Sequence, residues 1–101
     1  MLLSNVLPVS IIIFMKESFT SCNGIDLVNG LTFSTDLDMT LIRACRKNCN
    51  KLVVLADHTK FGMTYYFKTL SIKEIDIIIT DQEPEEKWRT YCEENGITLI
   101  Y

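Results

Sequence analysis

The apolar residues of this chain fall into short blocks whose period changes along the sequence. Lys51 leads into Leu52-Val53-Val54-Leu55-Ala56, which stops abruptly at Asp57. An unbroken apolar run of this length, bounded by polar residues, marks a strand buried on both faces, because a half-exposed strand would alternate. Ile75 to Thr80 repeats the pattern around Ile77-Ile78-Ile79, and Ile97-Thr98-Leu99-Ile100 forms a final strand. Ser18 to Cys22 reads as a further short strand, running into Asn23-Gly24 and then Ile25-Asp26. Asn29-Gly30 is a turn signal.

Between these blocks the period lengthens. Ser34 and Thr35 offer N-caps, and Asp36 and Asp38 place negative charge in a first helical turn, where the helix dipole favours it. Leu37, Leu41, Ala44, Cys45 and Asn48 then share one face, with Met39 and Ile42 flanking it. Arg43, Arg46 and Lys47 close that helix with positive charge. Pro84 opens a second helix over Glu85 to Asn95, striped by Trp88, Tyr91 and Cys92 and stopped by Gly96. The stretch from Gly62 to Ser71, with Tyr65, Tyr66, Phe67 and Leu70, is expected to be a loop or short helix over the sheet. Strands alternating with helices predict an α/β layered domain with a mainly parallel sheet.

With 101 residues the chain fits one small domain. Its 48% hydrophobic and 23% charged residues place it among globular chains, not disordered ones. The formal net charge of −3 leaves no diffuse basic surface for a phosphate backbone, so the chain alone is not expected to bind DNA. Cys22, Cys45, Cys49 and Cys92 contain no Cys-x-x-Cys pair, and the single histidine, His58, stands apart from them in sequence. The expectation is reduced, structural cysteines in a cytoplasmic protein, with no metal and no cofactor. Val6 to Met15, centred on Ile11-Ile12-Ile13-Phe14, has no basic residue before it and no small-residue cleavage site after it. About ten apolar residues interrupted by Pro8 are too few to span a bilayer. Residues 1–15 are therefore read as an apolar leader or a buried strand, and residues 16–101 as the domain proper.

Two polar segments follow strands, where ligands bind in open α/β sheets. One is Asn23-Gly24-Ile25-Asp26; the other is Asp57-His58-Thr59-Lys60-Phe61-Gly62. A Lys three residues beyond a strand-end Asp can hold a phosphate as a point charge, while the Asp orients it or a sugar hydroxyl. The candidate ligand-binding set is Asn23, Gly24, Asp26, Asp57, Thr59 and Lys60. Asp26 has a second reading, as a turn side chain bonding its own backbone. His58 has no partner assignable from sequence, and Asp81 is read as a helix cap rather than a site residue.

These same segments carry a family resemblance. Asn23-Gly24-Ile25-Asp26, Gly30-Leu31-Thr32, Leu55 to Gly62, Ile75 to Asp81 and Gly96 to Ile100 occur in the order seen in the C-terminal sensor domains of DeoR-family transcriptional regulators, and Phe19 also fits. The resemblance covers roughly residues 16–101. It implies a domain similar in fold to ribose-5-phosphate isomerase, binding a phosphorylated sugar, non-catalytic, and self-associating. In that comparison Asn23 and Asp26 fall where the isomerase has two active-site aspartates. Asp57 and Lys60 fall where it has an Asp and a Lys lining the substrate site. An amide at position 23 can hydrogen-bond a sugar but cannot act as a carboxylate base. Asp38 lies only near the place of the isomerase's basic glutamate. No helix-turn-helix and no first half of the sensor domain is encoded, so the expectation is a truncated regulator. A small sugar-phosphate isomerase-like enzyme and a structural oligomerisation module are the alternatives.

Overall fold

A computed structural model describes residues 17–101; the apolar stretch Val6 to Met15 lies outside the described residues. The order of elements is β1 (Glu17–Ser21), β2 (Gly24–Asp26), β3 (Gly30–Phe33), α1 (Leu37–Asn48), β4 (Lys51–Leu55), β5 (Phe67–Leu70), β6 (Ile77–Ile79), α2 (Glu86–Glu94) and β7 (Thr98–Ile100). Single 3-10 turns at His58–Lys60 and Ile72–Glu74 link β4 to β5 and β5 to β6.

Two sheets result. β1, β4, β6 and β7 form a parallel sheet in the order β1-β4-β6-β7. Its register sets Ser21 beside Leu55, Leu55 beside Ile79 and Ile79 beside Ile100. All four strands therefore end at one edge. The mainly parallel α/β class expected from the alternating blocks is the one observed. A smaller antiparallel sheet, β2-β3-β5, stands beside it. Phe67–Leu70 is thus a strand, where Gly62 to Ser71 was expected to be a loop or short helix. Four residues are too few to display a period of their own. The ladder comes from β3, and the Thr69 hydroxyl reinforces it by donating to the Leu31 carbonyl at 3.1 Å.

One contiguous core joins both sheets and both helices. Leu52, Val54 and Ile78 of the parallel sheet are fully buried against Ile42, Trp88 and Cys92 of the helices and Ile25, Leu31 and Phe33 of the smaller sheet. Two details of α1 depart from the sequence expectation. Asp36, not Ser34 or Thr35, occupies the N-cap position, without a side-chain capping bond, and Ser34 bonds Asn23. The buried face is centred on Ile42 and Cys45, and Asn48 is exposed with its amide donating to the Ala44 carbonyl. The helix is rotated so that Ile42, expected only to flank the stripe, carries its centre.

The ends of the helices hold the sheet together. Arg46, in the last turn of α1, donates to the carbonyls of Cys49 and Asn50 at 3.2 Å each and to that of Glu74 at 2.7 Å. It also pairs with the Asp76 carboxylate at 2.6 Å, and that carboxylate accepts the Leu52 N–H at 2.8 Å. One guanidinium therefore quenches carbonyls just past the helix and ties the starts of β4 and β6. At the end of α2, Gly96 takes φ 68°, the Ile97 N–H bonds the Cys92 carbonyl and the Gly96 N–H bonds that of Glu93. This is a Schellman stop, and it points Ile97 into the core beside Cys92.

Candidate functional site

The C-terminal ends of β1, β4 and β6 open onto a cleft of about 580 Å³. Ser21, Cys22 and Asn23 line it after β1, Leu55, Ala56, Asp57 and Lys60 after β4, and Ile79, Thr80 and Asp81 after β6. Parallel strands create such a crevice because their chains leave the sheet in different directions at one edge.

Of the six residues expected to bind ligand, the structure brings Asn23, Asp57 and Lys60 together around this cleft. The oxygen of the Asn23 amide accepts the Ser34 N–H at 2.9 Å and the Ser34 hydroxyl at 3.3 Å. A backbone donor can meet only the oxygen, so the amide orientation is fixed. Among the described residues no hydrogen bond uses Asn23 Nδ2, which remains as a donor. Asp57 caps the 3-10 turn: its Oδ1 accepts the Thr59 N–H at 2.9 Å and also the Thr59 hydroxyl. The Thr59 hydroxyl first and its N–H second hold the Asp57 carboxyl below its ordinary range, with help from the Lys60 charge and against desolvation and the charge of Asp81. Asp57 Oδ2 has no partner among the described residues. Lys60 is half-buried at the end of that turn, and none of the ion pairs among the described residues uses it.

Beneath these groups lies Cys22, 6% exposed. Burial pushes its thiol up to about 12, with the Lys60 charge pulling the other way and Asp57 adding to the rise. At neutral pH it is a protonated, apolar part of the floor and not a nucleophile.

The other three candidates lie off the cleft, each for a local reason. Asp26 Oδ2 accepts the N–H groups of Val28 and Asn29 and the Asn29 side-chain amide, the turn role weighed for it from sequence. Thr59 spends both its N–H and its hydroxyl on Asp57. Gly24 is buried in β2, where a Cβ would lie 2.3 Å from the Met63 carbonyl oxygen. A bridge between Ile25 and Phe61, with the Gly62 N–H donating to the Ile25 carbonyl at 2.8 Å, fastens the loop after β4 against β2. The two polar segments are therefore one packed unit, and Gly24 is the gap that lets them meet.

Sequence reasoning missed a third wall. Asp81 does not cap a helix: Gln82 to Pro84 separate it from α2, whose N-cap position is held by Glu85. It stays at the end of β6, where its carboxylate accepts the His58 N–H at 2.7 Å and bonds His58 Nδ1 at 2.9 Å. The His58 ring bond comes first among the causes that hold Asp81 below the ordinary carboxylate range, followed by the His58 N–H. The available signal was the similar form of the two strand ends: Leu52 to Ala56 runs into Asp57, and Ile77 to Ile79 into Thr80-Asp81.

No helix among the described residues is long and apolar enough to cross a membrane. Comparison with known proteins gives a consistent set of relatives. The HTH-type transcriptional repressor GlcR of Bacillus subtilis is 29% identical over 72 residues, covering 71% of this chain and 28% of the repressor. The HTH-type transcriptional regulator IolR of the same organism is 28% identical over 85 residues, 84% of this chain and 34% of the regulator. The deoxyribose operon repressor of Escherichia coli is 26% identical over 84 residues, 83% of this chain and 33% of the repressor. The chain thus spans about a third or less of the length of these relatives, all of which are transcriptional regulators and not enzymes by name. The family model for the DeoR C-terminal sensor domain matches residues 13–82, well over half of the sequence, and the chain belongs to that family.

Proposed function

We propose that this chain is an effector-sensing domain of a DeoR-type regulator of sugar metabolism, acting in the cytoplasm, and that it binds a phosphorylated sugar without converting it. The observation that carries this reading is Lys60, a half-buried lysine on the cleft that none of the ion pairs among the described residues uses, beside the free Nδ2 of Asn23 and the free Oδ2 of Asp57. A phosphate brought out of water needs a cation to offset its desolvation, and an ammonium at the cleft supplies it. Asn23 and Asp57 then serve hydroxyls, one as donor and one as acceptor. The isomerase-like alternative is disfavoured by the amide at position 23, which cannot act as a carboxylate base, and by the want of a residue matching the isomerase's basic glutamate. The domain's acidic balance leaves operator recognition to other parts of a regulator, and exposed Met63, Tyr65 and Tyr66 offer apolar surface for self-association.

Calorimetry of the 101-residue chain with a panel of phosphosugars tests the reading. Removing a charge-assisted contact costs about 1.5–3 kcal/mol, so Lys60→Ala should weaken binding roughly 10- to 150-fold. Lys73→Ala, exposed on the second 3-10 turn, is the control and should do little. Equal effects from the two lysines, or turnover of any panel member between aldose and ketose, would overturn the proposal. Light scattering across the same titration reads self-association, and a monomer at every concentration would remove that part.

A further inference from the structure

The three strand ends are not electrically alike. The Lys60 charge bears on Cys22, just after β1, and on Asp57. Asn23 Nδ2, the other free donor, also follows β1. Beyond β6, two strands away, stands the carboxylate of Asp81. Strands lie about 4.8 Å apart, so over roughly 10 Å the cleft runs from an end where the Lys60 charge offsets the Asp57 carboxylate to one where it does not offset Asp81. A phosphate avoids the Asp81 side, and the hydroxyl-bearing end of a phosphosugar is the part that reaches it.

The Asp81 carboxylate is aimed and not loose. Its Oδ1 holds the His58 N–H and, at 3.4 Å, the Thr80 hydroxyl; its Oδ2 holds the His58 ring and keeps a further lone pair, and the side chain is 49% exposed. Asp57 has one oxygen taken up by Thr59 and the other without a partner among the described residues, so the two carboxylates both face the cleft with acceptor capacity. His58 is not among the residues that line the cleft; it borders a second, smaller pocket with Phe61, Glu83, Glu85 and Trp88.

We propose that Asp81 recognises sugar hydroxyls of the effector in addition to those met by Asn23 and Asp57, and that His58 is the positioning residue that aims it. This rests on the phosphosugar reading above and adds the direction in which the ligand lies: phosphate at Lys60, with its hydroxyl-bearing end reaching Asp81 beyond β6. A fixed acceptor built for a hydroxyl discriminates strongly against a ligand that lacks one, because the site is otherwise left unpaired. It gives nothing to bare phosphate.

The test is calorimetry on the full chain with inorganic phosphate, glycerol 3-phosphate, ribose 5-phosphate and fructose 6-phosphate. Asp81→Asn should weaken the tightest phosphosugar roughly 10- to 100-fold and leave inorganic phosphate within about twofold. Lys60→Ala should weaken all four. His58→Ala should reproduce part of the Asp81→Asn loss, and His58→Asn should restore it, since its amide donor stands near the place of Nδ1. The His58 pair alters no atom that lines the cleft, so it decides the matter even where Asp81→Asn lowers the thermal transition. Equal weakening of phosphate and phosphosugar by Asp81→Asn, or weakening of neither, overturns the proposal. So does a wild-type chain that binds no panel sugar more tightly than phosphate, or a His58→Ala loss that His58→Asn does not rescue. A wild-type chain that binds none of the four, or a Lys60→Ala that changes nothing, sinks the phosphosugar reading itself.

Discussion

Gly24→Ala separates the two roles a glycine in Asn23-Gly24-Ile25-Asp26 could have. The added Cβ would stand 2.3 Å from the Met63 carbonyl oxygen, whereas carbon–oxygen contacts ordinarily lie at about 3.3–3.6 Å. The loop after β4 must therefore move by roughly 1 Å. That loop is tied to β2 through the 2.8 Å bond from the Gly62 N–H to the Ile25 carbonyl, which the shift strains. Overpacking of this kind costs about 1–3 kcal/mol, and loss of the bond about 0.5–1.5 more. The reduced freedom of the unfolded chain returns about 0.4–1 kcal/mol. A net loss near 2 kcal/mol lowers Tm by roughly 8–16 °C in a domain of this size. Trp88, the single tryptophan, is 1% exposed and packs edge-on against Phe61 at 4.8 Å, so its fluorescence follows the transition from within the affected region. The obstacle is main chain, so Met63→Ala should not rescue the variant. A Gly24→Ala chain with unchanged Tm and weakened phosphosugar binding would refute the packing argument and return Gly24 to the ligand site.

Two further outcomes follow from charge and burial. Burial acts to raise the Asp76 carboxyl, but the Leu52 N–H, the Arg46 bond and the Arg46 and Lys51 charges outweigh it and hold the group below its ordinary range. A carboxyl depressed in the folded state contributes stability above its unfolded value of about 3.9 and loses it as pH falls toward the folded one. Urea unfolding between pH 6 and 3 should therefore show a shallower acid decline for Asp76→Asn than for wild type; identical slopes would exclude Asp76 as a source. Cys22 should resist iodoacetamide at pH 8 until the chain unfolds, while half-buried Cys49 reacts first, and mass spectrometry showing equal rates would mean that the cleft floor is open to water.

What the sequence made legible is what local pattern and burial determine together. β4 was readable because Leu52, Val53 and Val54 are buried on both faces, so no polar residue interrupts the run. The end of α2 was readable because only a left-handed residue closes a Schellman turn cheaply, and Gly96 is one. β5 was not, because its pairing with β3 joins residues far apart in the chain, and four residues carry no period. Asp81 turned on where a helix begins: a start at Gln82 would have made it a cap, but Pro84 and Glu85 delay the start and leave it at the strand end.

The harder question was which polar side chains at the strand ends face the cleft, and there the competition is with the backbone. Short acceptors beside a turn are captured by the unpaired N–H groups the turn creates, as Asp26 is by Val28 and Asn29. Asp57 is half captured in the same way by Thr59, which is consumed in turn. A lysine escapes this fate, because a turn exposes N–H groups in excess and an ammonium has nothing to accept with. Of Asp57-His58-Thr59-Lys60, the lysine is therefore the residue whose charged group the turn does not capture. Asp81 is the exception among the acceptors. Its two shorter bonds come from His58, on another strand's loop, and they orient it at the cleft, while the neighbouring Thr80 hydroxyl adds a longer one at 3.4 Å.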